Sequence, residues 1–326
     1  MSKIKLLLSY PFPEQCIDPF RDQFDITRPT KKLNYDEVKA LIPDFDAFFT
    51  LHVHVDEPMY AAAKKLVAVA NFGVGYDHID VETATKYGIP VITTPTTVTQ
   101  ATAEHSVALI VDVMRGISRF DREMRRGEWC EEIFPDRCTP IKGSTLGILG
   151  FGRIGRDVAE QAAGLGMKVI YYDKFRAAPE VEERYGVTYM SFEDVLRTAD
   201  AISLNMPYTP ENHHLMNAKT IAMMKPTAYL VNAARGPVVD EKALAEALKN
   251  NVIKGAGLDV FENEPYPLPE LLTLENVVLT PHQASNPLKT RLGMCTEAME
   301  GLSAFFKGEK TYHVVNPDVY GHLRKL

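Results

Sequence analysis

Three side chains able to grip an anion and move a proton stand just past short apolar runs in the second half of the chain. Arg235 lies in VNAARGPVVD, Glu264 in GLDVFENEP and His282 in VVLTPHQAS. A guanidinium fork can hold a carboxylate through two parallel hydrogen bonds. Histidine is the side chain whose ordinary titration suits proton exchange near neutrality, and a carboxylate beside it keeps the imidazolium ready as an acid. Taken singly, each residue has a plainer reading: a surface arginine in a turn, a solvated loop acid, a packing histidine. As a set they supply what a small acid substrate and one mobile proton require.

A glycine motif says what the proton accompanies. Leu146 to Leu149 form a short apolar strand, and Gly150, Gly152 and Gly155 follow as G-x-G-x-x-G, with helical spacing as far as 164–166. The first glycine permits a tight turn, the second lets backbone approach a pyrophosphate, and the third lets the helix lie close on the strand. The helix, with Arg153 and Ile154 in its first turn, aims its N–H groups and positive dipole end at the phosphates. The next run, KVIYYD, ends at Asp173, 23 positions past Gly150, where a carboxylate can accept from adenosine ribose hydroxyls. Glycines also mark ordinary turns, but strand, glycines, helix, second strand and acid fall in register within one unit. The expected cofactor is NAD: Asp173 would repel the 2′-phosphate of NADP, a preference that Lys174 and Arg176 temper. A nicotinamide performs hydride chemistry itself, so the protein must position a substrate and manage one proton.

Ligands of open α/β sheets bind at the carboxyl ends of the strands, so those ends must carry the site. Strands are expected at 146–149, 168–172, 187–190, 200–204, 227–232, 254–258 and 276–280, with helices starting near Arg153, Ser191, Asn217 and Asp240. Asp240 reads as an N-cap, and a further helix is expected from beyond Pro287 to about Phe306. Before these, strands at 3–9, 47–51, 66–70 and 90–93 alternate with helices at 35–42, 59–64 and 81–87. That series carries Tyr10-Pro11-Phe12-Pro13 after its first strand instead of a glycine motif, so it is built like a nucleotide domain without being one. PTTVTQ (95–100) should interrupt the pattern, and 101–126 should form one long helix able to pass between two domains. An irregular connection with Trp129, Pro135 and Pro140 follows at 127–143. The fold class is α/β with two doubly wound parallel-sheet domains.

A length of 326 residues exceeds what one core usually supports, which agrees with two domains. A net charge of −7 argues against nucleic acid or an anionic membrane as partner. The four cysteines are far apart, with neither C-x-x-C nor zinc-ligand spacing, so no metal is expected and the thiols read as reduced in a cytoplasmic protein. The first ten residues suit a β-strand better than a secretory leader, and no run approaches the roughly 18 apolar residues of a membrane span.

With these motifs in order, the sequence resembles the D-isomer-specific 2-hydroxyacid dehydrogenases over nearly its whole length. NFGVGYDHID (71–80) looks like the family's substrate loop, TAEHSVALI (102–110) like its linker helix and SLNMPYTPENHHLMN (203–217) like another family segment. The three runs around Arg235, Glu264 and His282 look like its catalytic signatures in the usual order. The resemblance implies a Rossmann cofactor domain (101–287) inserted in a flavodoxin-like catalytic domain (1–100 plus 288–326). It implies that Arg235 binds the substrate carboxylate and polarises the 2-oxo group, that His282 exchanges the proton on that oxygen, and that Glu264 orients His282 and keeps it charged. Amides around Val74 and Gly75 are implied to help hold the carboxylate, with Tyr10 and Leu51 lining the side-chain end. Thr102, Pro207, Ala233 and Asp259 are implied on the cofactor side, and a homodimer as the assembly. One departure is Gln283-Ala284-Ser285-Asn286 after His282, where members more often have small residues with glycine. His213 and His214 read as solvated loop residues.

The expected function is therefore the NAD-dependent interconversion of a 2-oxo acid and a D-2-hydroxy acid. Glu264 stands where formate dehydrogenases of the family carry glutamine, and the length leaves no room for the regulatory domain of many phosphoglycerate dehydrogenases. A glyoxylate/hydroxypyruvate reductase within the family and an NAD-sensing, non-enzymatic corepressor outside its chemistry are the competing readings; turnover separates the last. The loops at Tyr10-Pro11-Phe12-Pro13 and Leu51-His52-Val53-His54 have no Arg or Lys for a second anionic group, which suits an apolar substrate side chain. Alternatively Tyr10 and Phe12 fill the space and leave room only for a small acid.

Overall fold

The computed structural model describes residues 3–132, 136–310 and 313–325, so Pro135 of the connection lies outside the described residues. The chain divides into two compact units, 1–98 with 286–326, and 99–285.

The first unit contains β1 (Ile4–Leu8), α1 (Glu14–Ile17), β2 (Phe24–Thr27), α2 (Tyr35–Leu41), β3 (Ala47–Thr50), α3 (Glu57–Ala62), β4 (Ala68–Asn71), α4 (Val81–Lys86), β5 (Val91–Ile92), the start of α5 (Pro95–Arg115), and α12 (Leu288–Phe306). Its strands run in the order β2-β1-β3-β4-β5, every pair parallel, which is the flavodoxin-like order. Parallel strands covered on both faces have no solvent side, so β3 (AFFT) and β4 (AVAN) are buried throughout. Leu6 and Leu8 pack with Met299 and Leu302 of α12 on one face, while Leu7, Phe48 and Val69 build the core on the other. The C-terminal segment therefore belongs here: without α12 one face of the sheet would be bare.

The second unit contains the rest of α5, α6 (Ile117–Arg125), β6 (Thr145–Leu149), α7 (Arg153–Gly164), β7 (Lys168–Tyr172), α8 (Pro179–Tyr185), β8 (Val187–Tyr189), α9 (Phe192–Thr198), β9 (Ala201–Leu204), α10 (Ala218–Ile221), β10 (Tyr229–Asn232), α11 (Glu241–Lys249), β11 (Gly255–Leu258) and β12 (Val277–Leu279). The order β12-β11-β10-β9-β6-β7-β8, all parallel, is a Rossmann sheet with one added strand. The direction of winding reverses between β6 and β9, which opens a crevice at their carboxyl ends. Asp240 caps α11 as expected, accepting from the Ala243 amide at 3.0 Å.

Several elements depart from the sequence reading. PTTVTQ does not interrupt the chain; it is the first turn of α5. The reason is Glu297 of α12, whose carboxylate accepts from the amides of Thr96 (2.9 Å) and Thr97 (3.0 Å) and from the Thr97 hydroxyl (2.7 Å), satisfying donors that a helix start leaves open. The long helix also ends early. Gly116, at φ +65°, divides it into α5 and α6, and Asp112 holds the restart by accepting from the Ser118 amide at 2.7 Å. The short elements β2, α1 and α8 carry too few periodic residues to be read locally, and β2 is an edge strand with mixed burial.

Candidate functional site

The cofactor motif occupies the turn from β6 into α7. Gly150 has φ +92°, and a Cβ there would come within 2.8 Å of the Asn205 backbone just past β9. A Cβ on Gly155 would stand 2.1 Å from the Gly150 carbonyl oxygen, so only glycine lets the helix lie this close on the strand. Gly152 is the N-cap of α7 and makes no side-chain cap, and nothing lies within 4 Å of where its Cβ would be. Uncapped amides at Arg153, Ile154 and Gly155 together with open space above them fit a pyrophosphate.

Asp173 directly follows β7, half-buried, and accepts from the amides of Phe151 (2.7 Å) and Phe175 (2.9 Å). A carboxylate has about four lone-pair sites, so capacity remains for ribose hydroxyls. The two cations that follow Asp173, Lys174 and Arg176, are engaged elsewhere. Arg176 makes two bonds to Glu182, at 2.8 and 2.9 Å, and lies over the Tyr189 ring. That contact, with a second from Tyr171, holds the Glu182 carboxyl down to about 2. Lys174 pairs with Glu211 at 3.1 Å. Pro207 and Ala233 follow β9 and β10 at the same carboxyl edge, and Thr102 lies buried on α5. The residues present thus fit a dinucleotide.

Arg235, Glu264 and His282 come together in the loops after β10, β11 and β12. Asn232, buried at the end of β10, clamps the first loop: its Nδ2 donates to the Arg235 carbonyl (2.8 Å) and its Oδ1 accepts from the Ala234 amide (3.0 Å). The Arg235 Nη1 donates to the Ala234 carbonyl at 2.7 Å. Gly236 then lies flat on the next loop, since a Cβ there would fall 1.9 Å from the Phe261 carbonyl. Glu264 spans the gap between loops, with Oε2 at 2.7 Å from His282 Nδ1 and Oε1 accepting from the Phe261 amide at 3.2 Å. Burial pushes the Glu264 carboxyl up, but its bond to His282, the His282 charge, the Phe261 amide and the Arg235 charge together hold it below the usual range. Glu264 is therefore an anion facing an imidazole.

Asp259 is the anchor of the His282 loop. Fully buried, it accepts from Thr280 Oγ1 (2.6 Å) and from the amides of Gln283 (2.8 Å) and Ala284 (2.9 Å), with His105 Nε2 at 3.3 Å. Burial raises its carboxyl, and these donors outweigh that and hold it below the ordinary value. Its backbone oxygen also accepts from the His282 amide at 2.7 Å. These bonds explain how a turn without glycine is tolerated: His282 itself takes the left-handed conformation at φ +52°, a strained one for a residue with a Cβ.

Sequence reasoning missed Asn232 and the pair Glu241 and Glu262. The Glu241 carboxylate accepts from the amides of Glu262 (2.6 Å) and Leu268 (3.0 Å), and Glu262 accepts from the Glu241 amide (2.7 Å). This reciprocal capping ties the Glu264 loop to the first turn of α11. His213 and His214 lie in the loop after β9, partly open to solvent as expected; His213 is exposed and stacks on His214, whose Nε2 also lies 3.0 Å from Glu262 Oε2.

In the first unit, Val74 and Gly75 lie in the turn after β4, and Tyr10 and Leu51 follow β1 and β3. Phe12 is buried, stacked on Phe49 at 4.3 Å and near Phe72 at 5.3 Å, with the Tyr10 ring 5.4 Å away. Among the described residues no group of His, Cys, Asp and Glu could hold a metal ion, and no helix is long and apolar enough to cross a membrane.

Residues 107–284 match the family described as D-isomer specific 2-hydroxyacid dehydrogenase, NAD binding domain. A glyoxylate reductase from Thermococcus litoralis is 42% identical over 97% of this chain and 98% of its own. Among solved structures, a glyoxylate reductase from Paecilomyes thermophila superposes with a TM-score of 0.88 at 31% identity, covering 98% of this chain and 99% of that one. D-lactate dehydrogenase from Aquifex aeolicus, complexed with NAD and lactic acid, superposes with a TM-score of 0.82 at 29% identity over 94% of this chain and 96% of that one.

Proposed function

Since the chain belongs to the D-isomer-specific 2-hydroxyacid dehydrogenases, NAD-dependent oxidoreductases acting on the CH–OH group of their substrates, we propose that it reduces small 2-oxo acids, glyoxylate first, through Arg235, Glu264 and His282. The observation that carries the proton chemistry is the 2.7 Å contact between Glu264 and His282 Nδ1. Gly150, Gly152, Gly155, Arg153, Ile154 and Asp173 would hold NAD, with Thr102, Pro207, Ala233 and Asp259 on its nicotinamide side. NADH bound there would supply the hydride that the 2-oxo carbon takes up. Arg235 binds the carboxylate and draws electron density toward the oxo oxygen. His282, held through Nδ1, gives its proton from Nε2 to that oxygen, and takes it back in the reverse direction. Glu264 fixes the ring's orientation and offsets its positive charge.

A small acid is favoured over one with an apolar side chain by two observations: Phe12 is buried in a stack with Phe49 and Phe72, which supports the alternative that it fills space, and the Thermococcus relative is named for glyoxylate. We also propose a cytoplasmic homodimer, a reading supported by four free cysteines and by family habit; sedimentation would test it.

The test is turnover of glyoxylate, hydroxypyruvate, pyruvate, 2-oxoisocaproate and phenylpyruvate with NADH and with NADPH. Glyoxylate should have the highest kcat/KM, in graded order because pockets discriminate only about 1–3 kcal/mol per methylene. NADH should be preferred, since Asp173 keeps acceptor capacity for ribose hydroxyls and Arg176 is tied to Glu182. Phenylpyruvate ranked first would restore the apolar-pocket reading, and equal use of NADPH would show that Lys174 and Arg176 override Asp173.

A second outcome follows from the charge on Glu264. The Glu264 carboxyl, which burial raises but its bond to His282 and the Arg235 charge hold below the usual range, must be ionised to orient the ring, so parent activity should be lost only as pH falls through that lowered value. In Glu264→Gln no carboxyl remains to titrate there, so this acid limb should disappear while turnover falls across the whole range because the ring is held less well. pH–rate profiles of parent and variant check this, and an acid limb unmoved in Glu264→Gln would reject the pairing as its source.

A further inference from the structure

Asn71 is the last residue of β4 and is fully buried, yet its side chain serves the turn that follows. Its Nδ2 donates to two carbonyls, Gly73 at 3.1 Å and Gly75 at 2.8 Å. The turn is closed from its other side by Thr94, whose hydroxyl accepts from the Gly73 amide (3.0 Å) and whose amide donates to the Gly73 carbonyl (3.1 Å). Across a trans peptide the carbonyl and the next N–H point to opposite sides. Carbonyls drawn in toward Asn71 therefore turn the amides of Val74 and Tyr76 away from it. Among the described residues, the amides of Val74, Gly75 and Tyr76 donate to no backbone acceptor, so the turn presents a short row of unused donors, the arrangement that receives an anion.

Packing alone does not explain an asparagine here. Its Oδ1 is buried without a hydrogen-bond partner, a cost that an apolar side chain of similar size would avoid. What asparagine supplies is two N–H donors on one neutral planar group, matched to two carbonyls; serine offers one donor and an ionised aspartate none. We propose that Asn71 is a positioning residue for substrate: by holding the Gly73 and Gly75 carbonyls it sets the amides of the Val74–Tyr76 turn to receive the carboxylate of the 2-oxo acid. This rests on the reading of the protein as a 2-oxo acid reductase.

A carboxylate carries the same charge before and during hydride transfer, so its anchor should act mainly on KM. Asn71→Asp keeps the shape but points acceptors at the two carbonyls, and Asn71→Ser keeps one donor. With NADH saturating, Asn71→Asp should raise KM about 10- to 100-fold, the scale of hydrogen bonds to a charged group. Asn71→Ser should fall between it and the parent, and kcat should stay within about threefold in both. The factor should be the same for glyoxylate, pyruvate and hydroxypyruvate, because the carboxylate is common to all three, and the NADH dissociation constant should not move. A merely structural role would lower the melting temperature and active fraction, hence kcat, without this uniform rise in KM. Parent-like KM in both variants, or a factor that differs among the acids, overturns the assignment of Asn71. A parent enzyme that turns over none of the acids overturns the proposed function instead, and this inference with it.

Discussion

In His282→Ala, glyoxylate reduction should fall about 10²–10⁴-fold, the usual worth of a positioned general acid, while NADH binding stays as in the parent. Separation of the two effects follows from where the residues sit. His282 is held by the Asp259 carbonyl and by Glu264 at the end of β12, whereas the cofactor turn is built from β6, α7 and Asp173. The backbone adds a refinement. His282 occupies φ +52°, a conformation that asparagine tolerates better than alanine. His282→Asn should therefore keep the turn more comfortably than His282→Ala and be just as inactive. Single-turnover absorbance at 340 nm, with NADH affinity measured by fluorescence titration, checks both variants. Undiminished turnover in His282→Asn would remove His282 from the proton path.

The second large effect is expected at Arg235. Arg235→Gln should lower kcat/KM on the order of 10²–10³-fold, in the range of the 2–5 kcal/mol typical when one member of a hydrogen-bonded charge pair is removed. Part should appear in KM, from the carboxylate, and part in kcat, from the oxo oxygen whose charge grows during the reaction. Arg235→Lys should recover only a fraction, because an ammonium keeps the charge and loses the planar fork. The electrostatics of Glu264 give an independent sign. The Arg235 charge is among the influences holding that carboxyl down, so in Arg235→Gln the acid limb of activity should move to higher pH. Full restoration by lysine would mean that Arg235 acts as a point charge and not as a clamp.

Much of the site was legible because its determinants are local in the chain. Gly150, Gly152 and Gly155 are dictated by one turn, and Asp173 closes the same β6-α7-β7 unit, so type and spacing alone carried that reading. Arg235, Glu264 and His282 each lie in the loop after a strand whose apolar run is visible, and parallel sheets bring such loops to one edge. The 2.7 Å pairing of Glu264 and His282 across 18 residues is the tertiary product of that rule.

What local reading lost was set by partners distant in sequence. PTTVTQ looks like a breaker until Glu297, 200 residues beyond Thr97, supplies acceptors for its first amides. Gly116 sat inside a plausible helix, and only the backbone at φ +65° shows that the helix stops there.

The amino-acid sequence by itself determined the α/β class and the dinucleotide turn, because both follow from residue type and short-range spacing; it marked Asp173 as the candidate ribose acid and, through the family resemblance of their motifs, Arg235, Glu264 and His282 as the candidate reactive set. The tertiary structure alone decided how those groups are held. Asp259 and Asn232 are buried polar residues whose function is to satisfy the loops that carry His282 and Arg235, and Asn71 does the same for the turn after β4. Phe12, which the sequence could place as the wall of an apolar slot or as filler of that space, is buried because Phe49 and Phe72 offer it a stack. A hydrogen bond or a ring contact needs a partner at a few ångströms, and for these residues that partner is brought there by packing, not by position in the chain.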